Sequence, residues 1–170
     1  MGLRTKVGFS AQRRSGHIPS AWRAISAKRQ IGQISKGQAD VTDGSKRQLA
    51  HLMEAHNILQ GAGIPHWLAG GWAVDFLVGR VTRQHDDVDF AIWKNDWQRV
   101  ETLLHARDFA PRTNKFPDET GKLVHKGTLF EFYLLEQNLA GDVFVGGRWA
   151  QWPFSDDCWS ATGCLQVSAP

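Results

Sequence analysis

An α+β fold, one mixed β-sheet with helices packed on one face, is what this sequence predicts. Apolar residues recur first at helical spacing and then in short strand-sized runs, in the order helix, strand, helix, strand, helix and a closing run of strands. Gly pairs at Gly70-Gly71 and Gly146-Gly147 punctuate that order. A chain of 170 residues with 42% hydrophobic residues is long and apolar enough for one ordinary domain with a sizeable core. No apolar run approaches the roughly 18 residues of a membrane-spanning helix, so the sequence argues against a membrane partner.

The first helix is expected around Leu49, Leu52, Met53, His56 and Leu59, capped by Asp43 or Ser45 and stopped by Gly61 and Gly63. Ile64 to Ala69 reads as a short extended run closed by Gly70-Gly71. Trp72 to Val78 then forms a helix with Trp72, Ala73, Phe76 and Leu77 on one face, ending at Gly79. Val88 to Trp93 is strand-like. Asn95 is expected to cap a helix to about Arg107, with Val100, Leu103 and Leu104 inward. Lys122–Lys126 and Thr128–Leu135 read as a hairpin around Gly127, and Val143–Val145 as a further edge element.

Charge divides the chain. Residues 1–39 carry eight basic residues and no acid, leaving 12 Lys and Arg against all 17 Asp and Glu in the remainder. The basic pI of 9.1 therefore describes the leader, and nucleic acid is disfavoured as a partner of the folded part. Residues 1–42 are expected to be a mobile basic extension and 43–170 the domain, with a short helix around Ile18–Ile31 as an option. Only Cys158 and Cys164 are present, too few for a disulfide scaffold or a four-cysteine zinc site, which favours a reducing, cytoplasmic setting. The seven histidines show no metal-ligand spacing.

The chemistry concentrates in Gly70 to Phe90. Asp87 and Asp89 flank Val88 on a strand, so both carboxylates project to one face, with His85 joining them if the strand extends back. Close carboxylates repel unless one is protonated or a cation sits between them, and Mg²⁺ prefers such hard oxygen ligands. An Asp-x-Asp pair alone is common on solvated surfaces. Asp89, however, stands between Val88 and Phe90 in an otherwise apolar strand. Gly70-Gly71 follows a strand and opens a helix, where free backbone N–H groups suit a phosphate, although a lone Gly-Gly is equally a plain turn.

Together, Gly70, Gly71, Trp72, Asp75, Gly79, Arg80, Arg83, His85, Asp87 and Asp89 closely resemble the signature of the aminoglycoside 2''-adenylyltransferase and lincosamide nucleotidyltransferase group. The resemblance extends more loosely from about Ser45 to Ala169. It implies a polymerase-beta-like nucleotidyltransferase fold. It also implies Mg²⁺, with two ions expected, and transfer of a nucleoside monophosphate from ATP or another NTP to a hydroxyl. Asp87 and Asp89 become metal ligands and catalytic residues, while Gly70, Gly71, Arg83 and His85, with Arg80 as an option, become nucleotide-binding. A third carboxylate, as base or further ligand, falls on Glu131 in an apolar strand, with Glu136 as fallback. Glu131 departs from the Asp common among relatives. Asp75 is expected to be structural, pairing with Arg80 or Arg83.

The acceptor implied is a small hydroxylated molecule, an aminoglycoside or lincosamide antibiotic. The alternatives are a protein or RNA acceptor, and a catalytically silent nucleotide-binding relative. Trp149, Trp152 and Trp159 suit an acceptor pocket, core packing or a homodimer contact equally. The chain ends at Pro170, about where relatives are expected to continue into a further helix.

Overall fold

The structure, a computed structural model, describes residues 41–154. The expectations for Ile18–Ile31, Cys158, Cys164, Trp159 and the C-terminal end lie outside the described residues.

Helix α1 spans Asp43–Gly61. Its cap is Thr42, not Asp43 or Ser45: extended at ψ 154°, Thr42 accepts a hydrogen bond from Ser45 N at 3.1 Å. Asp43 falls inside the first turn, where its charge complements the helix dipole. Strand β1 (His66–Ala69) leads directly into α2 (Gly70–Val78), which Gly79 closes in the left-handed region at φ 74°. The buried face of α2 is Trp72, Asp75 and Phe76, whereas Ala73 and Leu77 are half-buried. A buried acid hid that face from hydrophobic pattern reading.

Strand β2 (Asp87–Trp93) is followed by a tight turn at Lys94–Asp96, so α3 starts at Trp97 and ends at His105, later and shorter than Asn95 to Arg107. Val100 and Leu104 are buried and Leu103 half-buried. Strands β3 (Ala110–Pro111), β4 (Thr120–His125), β5 (Thr128–Gln137) and β6 (Val143–Val145) follow, and a short helical turn at Gly147–Trp149 completes the described elements. The two-residue β3 is too short to leave a periodicity. Lys126 (φ 47°) and Gly127 (φ 82°) form the two-residue hairpin loop between β4 and β5, both in the left-handed region that suits strand twist.

The six-stranded sheet runs β1-β2-β5-β4-β3, with β6 also on β5. Only the β2–β5 pairing is parallel; the others are antiparallel. Alternation sorts the side chains cleanly. Val88, Phe90 and Ile92 of β2, with Phe130, Phe132 and Leu134 of β5, join Leu52, Leu59, Trp72, Phe76, Val100 and Leu104 in one core. All three helices therefore pack on one face, as expected. Asp87, Asp89 and Glu131 occupy the opposite face, with a smaller apolar cluster of Trp67, Ala91, Leu135 and Val145 farther along the same strands.

Candidate active site

The site is one transverse row. In-register pairing places Ala69 of β1 opposite Asp89 of β2, Asp89 opposite Glu131 of β5, and Glu131 opposite Lys122 of β4. Asp87 lies on the same face one pleat away. Ligand oxygens of Asp87, Asp89 and Glu131 all come within 4.8 Å of one another. Lys122 closes the row, its Nζ 3.1 Å from Glu131 Oε2.

These acids carry the electrostatic mark of crowding. Burial, reinforced by the charges of Asp87 and Glu131, pushes the Asp89 carboxyl up to about 7. Asp87 is also raised, by burial first and then by Glu131 and Asp86. The nearby charges of Lys122 and Arg83 work in the opposite direction on both aspartates. A close set of hard oxygen donors whose mutual repulsion these two cations only partly offset fits a divalent cation such as Mg²⁺.

The glycine turn is joined to this row. Gly70 follows Ala69, which pairs with Asp89, and adopts φ 61°; a Cβ there would collide with the Asp89 carboxylate. At Gly71 a Cβ would strike His85 Nδ1 and come within 2.9 Å of Arg83 Nη2. Both glycines are therefore required by space, and the turn sets the α2 N-terminus beside the acids.

Behind the turn lies a buried support. Asp75, 0% exposed, receives Thr82 Oγ1–H at 2.6 Å and Thr82 N–H at 3.2 Å, and its Oδ2 lies 2.6 Å from His85 Nε2. Trp72 packs its ring 4.8 Å from that of His85 and donates from Nε1 to Gln48 Oε1 at 2.8 Å. His85 Nδ1 faces Gly71 and has no hydrogen-bond partner among the described residues.

The sequence model of the aminoglycoside-2''-adenylyltransferase family matches residues 51–145, more than half of the chain and all of this site. The chain belongs to that family. A 2''-aminoglycoside nucleotidyltransferase of Escherichia coli is 54% identical over 37 residues, covering 20% of this chain and 21% of the relative. One from Klebsiella pneumoniae matches equally. The chain thus spans about a fifth of the length of the curated relatives it matches. Among solved structures, the lincomycin-bound lincosamide adenylyltransferase LnuA is similar with a TM-score of 0.52 at 19% identity, over 76% of this chain and 82% of that one. ANT(2'')-Ia in complex with adenylyl-2''-tobramycin gives 0.48 at 22% identity, over 52% and 50%. The likeness to LnuA shows the shared polymerase-beta-like nucleotidyltransferase fold.

Within the family signature, the structure brings Gly70, Gly71, Arg83, Asp87, Asp89 and Glu131 together and sets three residues apart. His85 precedes β2 and does not share the face of the acids; it lies 6% exposed beneath Gly71. Asp75 is structural as expected, but its side-chain partners are His85 and Thr82 rather than Arg80 or Arg83. Arg80 is exposed at the end of α2. The fallback Glu136 pairs with Lys94 at 2.9 Å, away from the row. Trp149 packs against the smaller apolar cluster and within 5.5 Å of the half-exposed Trp152 ring. Lys122 was missed, although the loop at Lys126-Gly127 fixes the hairpin register and so points to it. Among the described residues no helix is long and apolar enough to cross a membrane.

Proposed function

We propose that this family member transfers a nucleoside monophosphate from an NTP, ATP in the first instance, to a hydroxyl of a small antibiotic of the aminoglycoside or lincosamide type. The reading is carried by the convergence of Asp87, Asp89 and Glu131 beside the Gly70–Gly71 helix start. The family match supports the chemistry, and the net-acidic composition of residues 40–170 suits a cationic acceptor.

Asp87 and Asp89 would hold Mg²⁺, which when bound neutralises charge on the reacting phosphoryl group and its pyrophosphate leaving group. The α2 N-terminus offers N–H groups to phosphate oxygens, and Arg83, alongside Gly71, adds a guanidinium suited to bidentate contacts. His85 acts from beneath, holding Gly71 and with it the turn. Glu131 accepts the proton of the attacking hydroxyl as that oxygen bonds to the α-phosphorus. Residues 43–170 form the catalytic domain, in a cytoplasmic setting.

The test incubates the full chain with each NTP, Mg²⁺ and a panel of aminoglycosides and lincosamides, and reads products by mass. A nucleoside-monophosphate adduct on one antibiotic class, lost in Asp89→Asn, is the expected result. Adducts on protein or RNA alone, or none on any acceptor, would overturn the reading.

A further inference from the structure

Lys122 lies outside the family signature, yet it stands at the end of the acidic row. The β4–β5 hairpin holds it opposite Glu131, and both side chains are largely shielded, at 27% and 17% exposure. Its ammonium sits 3.1 Å from Glu131 Oε2, while Glu131 also lies within the 4.8 Å spread of the acids of β2. Two attractions therefore compete for one carboxylate. A cation bound by Asp87 and Asp89 draws Glu131 toward it, and Lys122 draws Glu131 away. Both cations lower the carboxylate's basicity, but a divalent ion bound directly to it does so more strongly than a single ammonium at 3.1 Å, so Glu131 is the better proton acceptor on Lys122 than on the metal.

We propose that Lys122 is a positioning residue that withholds Glu131 from the metal and so keeps it available as the base. This inference rests on the reading of Asp87, Asp89 and Glu131 given above. Lysine suits this role because its ammonium is a compact charge on a flexible stem, able to follow a carboxylate through small movements.

Titrating the full chain with Mg²⁺ alone, by calorimetry and without nucleotide, tests it. Lys122→Met should bind Mg²⁺ about 10-fold more tightly, since a competing positive charge is gone and Glu131 is released. Lys122→Arg keeps the charge and should stay within about 2-fold of the wild type, guarding against a variant whose change reflects altered folding. The double variant Lys122→Met with Glu131→Gln closes a cycle and should lose most of the gain, because the gain depends on Glu131. Unchanged Mg²⁺ affinity in Lys122→Met would overturn the inference, as would a gain that persists without the Glu131 carboxylate. Asp89→Asn separates the two readings. If it binds Mg²⁺ as the wild type does, the metal site itself is wrong. If it loses Mg²⁺ while Lys122→Met gains nothing, only the role of Lys122 fails.

Discussion

Asp75 and Asp89 are both buried aspartates flanking the same glycine turn, and they live in opposite circumstances. Asp75 is 0% exposed and satisfied by three contacts, from Thr82 N, Thr82 Oγ1 and His85 Nε2. Asp89 is 8% exposed, faces two further acids, and has its carboxyl pushed up to about 7. A buried acid with all its partners in place is a structural fixture. One crowded by like charges costs stability unless it is protonated or a cation sits among the acids. Side by side, they teach that a signature can mix two kinds of residue: acids crowded together at the open face, and acids whose partners fix the turn beside them.

The sharpest way to break this contrast is to neutralise the crowded acids. Asp87→Asn and Asp89→Asn should each reduce nucleotidyl transfer by about 10³-fold or more, while the fold persists. Near-normal turnover in either would remove it from the metal site. Glu131→Gln preserves shape and removes basicity. Turnover should fall by roughly 10²–10⁴-fold with Mg²⁺–nucleotide binding retained, read by following both on one preparation.

On the other side of the comparison, Asp75→Ala leaves His85 and Thr82 facing an empty acceptor position. It should cost about 3–5 kcal/mol of stability in urea unfolding, as breaking a buried polar pair does. A variant as stable as the wild type would erase the distinction between the two aspartates.

The contrast also has a pH signature in the metal-free protein. The folded state raises Asp89 from near 4 to about 7, so between those values it binds more protons than the unfolded chain. Stability from this group therefore falls as pH rises from about 4 to about 7 and stays lower above that. Asp89→Asn lacks this penalty, so in EDTA at pH 8 its Tm should exceed the wild type's by roughly 3–8 °C, a gap narrowing toward pH 4. An equal gap at both pH values would show that titration is not its origin. The smallest effect is expected from removing residues 1–39, which should leave the melting transition and small-molecule turnover nearly unchanged.

Much of this was legible in one dimension. The hydrophobic periods of α1, β1, β2 and β5 located those elements, and the alternation in Asp87-Val88-Asp89 alone sent both carboxylates to one face. Gly70-Gly71, Gly79 and Gly127 announced the turns, because few residues other than glycine tolerate positive φ, whereas the structure moved Lys126 from the strand into the hairpin loop. These are local properties, written within a few residues of where they act. Tertiary structure decided the rest. The sequence already preferred Glu131 to Glu136, five residues along the same strand, but only the parallel β2–β5 pairing set Glu131 beside Asp89 and left Glu136 to Lys94. The same packing turned His85 inward onto Asp75 instead of outward with the other site residues. The partner of a carboxylate is set by which strand lies beside it and in what register, and long-range pairing is the one quantity that local spacing does not contain.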